Sequence, residues 1–281
     1  MSEIRFNKVL VGVDFSPAES ALLSCLPELK RWGTDTLVMA HMVPVGYTSI
    51  SGYGHEADYL KDLEKTAEPL RQAGLTVETL VRDSTHPAKA FAALAGEMDA
   101  NMILVGSRSH NFLHKLFLGS FATEVLQHSR VPVLIERIEK SAQQTAEACE
   151  AVCRQNLDKV LLATDLSREV IEAEQTAIAL SEHAGQLNLL TVLNKEFSAE
   201  AAKDHLEALK NRLVQRGNTT EILMAAGTPS EVIISEARND YTLIILGKHG
   251  NGRRTETLIG STAETVCRDA QRPVLVVPST T

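Results

Sequence analysis

The stretch "LGKHGNGRRTETLIGS", Leu246 to Ser261, holds the residue types in this chain best suited to chemistry on an anion. Its glycines read Gly247-x2-Gly250-x9-Gly260, followed by Ser261 and Thr262. Glycine tolerates positive φ and lets a ligand approach bare backbone N–H groups. Such groups, with the start of a helix, form a cradle for phosphate. The flanks supply the right elements. "YTLII" before the loop reads as a short buried strand, and "STAETVCRDA" after it as a helix opened by Ser261. Spacing alone also fits an ordinary surface loop. The loop is not a Walker sequence, because "GKHG" lacks the hydroxyl residue after its lysine, and no GxGxxG follows the first strand.

Other residues could share that chemistry. Asp14 and Asp165 each end a strand just before Phe/Leu-Ser, where a carboxylate can face a ligand or cap the next turn. Arg253, Arg254, Lys248 and His249 could reach phosphate, or stand in solvent. His110 and His114 are spaced like two metal ligands on a helix, with His41 and His86 expected at the same sheet end. No third ligand at diagnostic spacing accompanies the pair, so no metal site is assigned. No general base or nucleophile–base pair stands out, and no catalytic residue is assigned.

These residues must be positioned by something, and the chain writes its scaffold twice. "KVLVGVDFS" (Lys8–Ser16) returns as "KVLLATDLS" (Lys159–Ser167) and "NMILVGSRS" (Asn101–Ser109) as "TLIILGKHG" (Thr242–Gly250). "LGSFATEVLQHSRVPVLI" (Leu118–Ile135) returns as "IGSTAETVCRDAQRPVLVV" (Ile259–Val277). The last two pairs are offset by 141 residues and the first by 151. That period is a duplicated domain, not a solenoid repeat.

The expected strands are Lys8–Val13, Thr36–Val43, Thr76–Val81, Met102–Val105 and Val133–Ile135, then Lys159–Thr164, Leu187–Leu193, Thr219–Met224, Leu243–Leu246 and Val274–Val277. First-half helices are expected at Ala18–Lys30, Glu56–Gln72, Pro87–Glu97 and Ser120–His128. Five strands separated by helices imply an α/β fold with a parallel sheet between helical layers. The expected domains are 1–138 and 157–281, joined by a helical tether at 139–156.

Composition sets the outer bounds. The 36 acidic against 28 basic residues argue against a general nucleic-acid or anionic-membrane surface. The N-terminus reads as neither signal peptide nor membrane span, and four scattered cysteines without a CxxC pair suggest buried, reduced thiols in a cytoplasmic protein.

Strand-Asp-Phe/Leu-Ser, Gly-x2-Gly-x9-Gly-Ser and a closing "RPVLVV" together resemble the universal stress protein family, in a tandem two-domain form. The resemblance covers nearly the whole chain. It implies two Rossmann-like domains of the adenine nucleotide alpha hydrolase-like kind, and ATP, or ADP or AMP, held with or without Mg²⁺ in a stress sensor or regulator. It places Thr164 and Asp165 at the adenosine, Val192 beside the adenine, and Leu246 and Gly247 along the adenine–ribose edge. Gly250, Gly260, Ser261, Thr262 and Ala263 would take ribose and phosphates. In the first half Gly106 and Gly119-Ser120 remain, but Ser109 replaces the middle glycine, so nucleotide is expected in the C-terminal domain alone. The other readings left open are a protein-interaction module working through partners and a slow ATP hydrolase. The two closing strands could pair as an internal pseudo-dimer, and the whole chain could form a homodimer.

Overall fold

A computed structural model of the chain describes residues 4–16, 19–45, 56–108, 118–140, 149–151, 155–193, 198–250 and 259–279. The chain divides into two compact units, one built on 5–108 and 119–151 and the other centred on 152–281. The N-terminal unit runs β1 (Lys8–Gly12), α1 (Glu19–Leu23), a 3₁₀ helix (Leu26–Trp32), β2 (Thr36–Pro44), α2 (Glu56–Gln72), β3 (Thr76–Ser84), α3 (Pro87–Glu97), β4 (Met102–Arg108), α4 (Ser120–His128), β5 (Val133–Lys140) and β6 (Cys149–Ala151). The C-terminal unit runs β7 (Lys159–Ala163), a 3₁₀ turn (Arg168–Val170), α5 (Ile171–Leu180), β8 (Gln186–Val192), α6 (Ala199–Gln215), β9 (Ile222–Ala225), α7 (Pro229–Glu236), β10 (Leu243–Gly247), α8 (Ser261–Asp269) and β11 (Val274–Val277).

Within the first unit parallel pairing gives the order β3-β2-β1-β4-β5. Within the second it gives β9-β8-β7-β10-β11. The central strands are apolar without alternation, and Val9–Val11, Leu37–Met39, Val160–Leu162 and Leu243–Ile245 are all fully buried. Continuous burial is what a parallel sheet covered on both faces demands. The repeat extends to small devices. The amide that opens β1, on Lys8, donates to Asn101 Oδ1 at 2.9 Å, and its counterpart on Lys159 donates to Thr242 Oγ1 at 2.9 Å. In each unit strand order reverses beside the first strand, the place where open α/β sheets form a crevice at the strands' carboxyl ends.

The departures from expectation have local causes. The helix expected at Ala18–Lys30 stops at Leu23 and resumes as 3₁₀ from Leu26. Pro27 forbids a continuous helix, since its ring would strike the Leu23 carbonyl. β9 begins later than expected, because upstream its pairing thins to a single Gln186–Thr219 bridge, where side-chain amides share the backbone partners and the Leu187 amide also reaches the Thr219 carbonyl at 3.1 Å. Asn218 Oδ1 accepts from the Leu187 amide at 2.8 Å, and Asn188 Oδ1 from the Glu221 amide at 3.0 Å.

The described part of the tether is mostly strand, with a 3₁₀ residue only at Gln155. β5 continues through Lys140, and Cys149–Ala151 pairs antiparallel with Ile138–Lys140. Pairing with a strand already in place outweighs the helix propensity of its Ala, Gln and Glu. Residues 141–148 and 152–154 of that segment lie outside the described residues. Cys25, expected as a reduced thiol, is disulfide-bonded, while Cys267 is free and buried. Disulfides depend on proximity in the fold, which the sequence spacing of the cysteines does not reveal.

Candidate functional site

The C-terminal crevice is built from the turn after β7. Thr164 is buried, and its amide continues the ladder to the Leu190 carbonyl at 2.9 Å. Asp165 follows, with Oδ1 accepting from the Ser167 amide at 3.1 Å and the Ser167 hydroxyl at 2.6 Å. The capping role open to this aspartate is therefore used. Between them Leu166 takes φ 64°, in the left-handed region where a branched side chain is strained. Its counterpart Phe15 repeats this at φ 53°.

The loop after β10 closes onto this turn. Gly250 lies so near Asp165 that a Cβ on it would collide with Oδ2. At Gly247 a Cβ would stand 2.9 Å from Val170 Cγ1 and 3.0 Å from the His249 carbonyl. None of Gly247, Gly250 and Gly260 has a positive φ in the left-handed region. Gly247 and Gly250 lack room for a Cβ, while Gly260 is only tight, a Cβ there standing 3.2 Å from the Lys248 carbonyl; of the two reasons expected for glycine here, positive φ is not used. The loop's far end is tied to its start, as the Gly260 amide donates to the Lys248 carbonyl at 2.9 Å and the Lys248 amide to the Val277 carbonyl at 2.7 Å.

Gly260, not Ser261, caps α8; Ser261 is the first helical residue. A glycine cap supplies no side-chain acceptor, so the first-turn amides at Ser261, Thr262 and Ala263 have no side chain of the cap to bond. Ser261 is exposed, Thr262 half-buried and Ala263 buried. Of the residues singled out in the sequence, Thr164, Asp165, Leu246, Gly247, Gly250 and the Gly260–Ala263 segment all stand at the β7/β10 carboxyl end. Leu246 is buried in β10 between Ala163 and Val276. Val192 ends the neighbouring strand β8 and pairs with Ala225.

Electrostatics separate the basic residues. Lys248 is buried, and burial pushes its ammonium down to about 8. His249 is half-buried and lowered by burial, then by the Lys248 charge. Arg253 and Arg254 lie outside the described residues, as do His110, His114 and Ser109. His41 Nδ1 meets the Val13 carbonyl at 2.8 Å, and His86 Nδ1 meets the Thr85 hydroxyl at 3.1 Å. Among the described residues no group of three His, Cys, Asp or Glu is placed to hold a metal.

Sequence reading passed over two groups. In the N-terminal unit Phe15, His41 and Tyr59 cluster at the carboxyl ends of β1 and β2, with ring centroids 4.7 Å (Phe15–His41), 4.6 Å (His41–Tyr59) and 5.7 Å (Phe15–Tyr59) apart. Sheet register makes Thr191 the counterpart of His41 in the second repeat, since Ala40 pairs with Gly12 as Leu190 pairs with Ala163. Leu166 likewise stands for Phe15, so the C-terminal unit has no ring at either position. In that unit Glu174 is buried between Thr164 and His205. A glutamate inside the apolar helix "IEAEQTAIAL" was the legible signal.

A duplicated doubly wound α/β unit, with a glycine-bearing loop where the strand order reverses, defines the fold class of this chain. The chain belongs to the universal stress protein family: the model described as "Universal stress protein family" matches residues 5–137 and again 156–278. A universal stress protein of Mycolicibacterium smegmatis is 24% identical over 301 residues, covering 96% of each chain. Universal stress protein YxiE of Bacillus subtilis is 29% identical over 148 residues, which are 47% of this chain and 99% of that one. The crystal structure of a universal stress protein from Archaeoglobus fulgidus DSM 4304 superposes with a TM-score of 0.76 over 97% of this chain and 98% of that one, at 24% identity. That likeness speaks to the fold. Among the described residues no helix is long and apolar enough to cross a membrane.

Two outcomes follow from the geometry. Gly250→Ala must displace Asp165 or the loop, and a stability loss of about 1–3 kcal/mol is expected in urea unfolding. Unchanged stability would mean that the two segments do not meet. Lys248 gives a pH signature. Its unfolded form keeps the proton to 10.5 and its folded form loses it near 8, so between those values the unfolded chain binds more protons and stability rises with pH. Wild type should therefore gain on Lys248→Met by roughly 2–3 kcal/mol between pH 7 and 10.5. Parallel pH curves for the two proteins would contradict the burial.

Proposed function

We propose that this chain binds an adenine nucleotide, ATP or its ADP or AMP relatives, in its C-terminal domain and acts as a stress-response sensor or regulator. The observation that carries this reading is the apposition of Asp165 with Gly250 beside the side-chain-free start of α8. Phosphates would lie on the backbone amides of Gly250, Ser261, Thr262 and Ala263 beside Gly260, where the helix start adds about 0.3–1 kcal/mol to anion binding. Asp165 and Thr164 would stand at the adenosine side, with Val192, Leu246 and Gly247 flanking the base and ribose. The space a Cβ would take at Gly247 and Gly250 is held by Val170, the His249 carbonyl and the Asp165 carboxylate, so what suits the ligand is the glycine-capped start of α8 and its first-turn amides. Mg²⁺ would accompany the phosphates, with Asp165 as the nearest carboxylate of the turn.

A second reading, a protein-interaction role, is favoured for the N-terminal domain by its own rings. Phe15, His41 and Tyr59 stack at the corresponding strand ends. The proposed stoichiometry is therefore one nucleotide per chain. No base or nucleophile is assigned, so the proposal is binding and signalling; single-turnover ATP hydrolysis should run no faster than in buffer.

The test is calorimetric titration of ATP into the nucleotide-stripped chain, with Gly260→Asp alongside. Wild type should bind one equivalent. Gly260→Asp should still fold, since aspartate is a good helix cap and the Lys248 carbonyl, 3.2 Å from the new Cβ, need give only slightly, yet it should lose at least about tenfold in affinity as its carboxylate takes the amides meant for phosphate. Two sites in the wild type would refute the asymmetry. No heat at millimolar ATP would refute the nucleotide reading and leave the interaction role.

A further inference from the structure

The turn that carries Asp165 contains a leucine at positive φ, and something must hold it there. The N-terminal unit does so directly. Buried Glu19 accepts the amides of Asp14, at 3.0 Å, and of Phe15. The corresponding position in the C-terminal unit is Val170, which packs on Gly247 and offers no acceptor. The clamp has moved. The Leu166 amide donates to Thr164 Oγ1 at 3.1 Å, and that hydroxyl donates to Glu174 Oε1 at 2.8 Å. Glu174, 6% exposed, is engaged from its other side by His205 Nε2, 3.1 Å from each carboxylate oxygen. His205 itself has a 43% exposed side chain.

Each link has one direction. A carboxylate only accepts, so Thr164 spends its proton on Glu174 and turns a lone pair to Leu166. An acceptor-only glutamate thus fixes the hydroxyl rotor in the orientation that receives the strained amide. His205 must present Nε2–H for the same reason, and its imidazole keeps the buried carboxylate hydrogen-bonded on the outer side.

We propose that Glu174 and His205 are positioning residues for the nucleotide site: through the Thr164 hydroxyl they lock the Leu166 turn and so aim Asp165 at Gly250 and the ligand. Thr164 is thereby a support whose hydroxyl is already committed within the protein. The part concerning affinity rests on the nucleotide reading above; the part concerning the turn does not.

The experiment measures Leu166 amide exchange by NMR in the ligand-free chain, and ATP affinity by calorimetry, for wild type and four variants. Thr164→Val removes the hydroxyl at nearly constant volume, and Thr164→Ser restores it. Glu174→Leu removes the acceptor that orients it. His205→Gln, at a partly exposed position, keeps a donor and is the variant least able to disturb folding. Thr164→Val and Glu174→Leu should speed Leu166 exchange about tenfold and weaken ATP by about five- to tenfold. Thr164→Ser should return both to near wild type, and His205→Gln should cost about two- to threefold in each. Wild-type exchange at Leu166 in Thr164→Val, or in His205→Gln and Glu174→Leu together, overturns the proposal. If the wild type binds no ATP, the nucleotide reading fails, and faster exchange in these variants still establishes the clamp.

Discussion

Asp165 and Gly250 approach so closely that the carboxylate occupies the place where any side chain would begin. Two loops, from strands adjacent in the sheet but far apart in sequence, are fixed against each other by that exclusion. Much else follows from it. β7 and β10 must pair in register through Ala163 and Leu246 to bring the loops level. The loop's return must be anchored where it leaves, which the Gly260–Lys248 backbone bond does. The aspartate must be held still, which explains a turn with two hydrogen bonds to one oxygen.

The same turn is solved differently in the two repeats. Both accept a left-handed non-glycine residue after the aspartate, a strain of about 1 kcal/mol or more that persists only when its surroundings hold it. In one repeat a glutamate reaches the turn directly; in the other a threonine hydroxyl stands between the turn and a glutamate one helical turn further along. The exchange has a consequence at the loop. Valine in the position of Glu19 frees that space for contact with Gly247, so the backbone of β10 comes close to the helix that follows β7. A duplicated fold keeps the strain and reassigns its support.

The architecture was legible because parallel strands bury both faces and leave unbroken apolar runs, and because the chain states the pattern twice. α2, α3 and α4 begin and end where periodicity, a proline start or a Gly-Ser cap put them. Pro27 was as visible as Pro87, but its effect depends on where the helix has already begun. The tether was misread because β6 takes its form from a partner strand, a long-range pairing that composition does not encode. In the site, spacing makes the glycines visible but not the atoms around them, and at Gly247 and Gly250 it is Val170 and Asp165 that leave no room for a Cβ. Glu174 and His205 were missed since they lie on different helices and only folding joins them.

The N-terminal repeat shows what a strand-end crevice becomes when it satisfies itself. Phe15, His41 and Tyr59 stack on one another, and the His41 ring is tied to the Val13 carbonyl. Each such contact favours the closed arrangement that a ligand would have to undo. In the C-terminal repeat the corresponding strand positions carry Leu166 and Thr191; the helix after the loop is capped by a glycine in both repeats, Gly119 and Gly260, so the difference lies in the rings. Binding capacity and self-satisfaction compete for the same few groups. On the proposed reading the duplication has let one repeat keep its polar groups for a ligand while the other commits the equivalent space to its own packing.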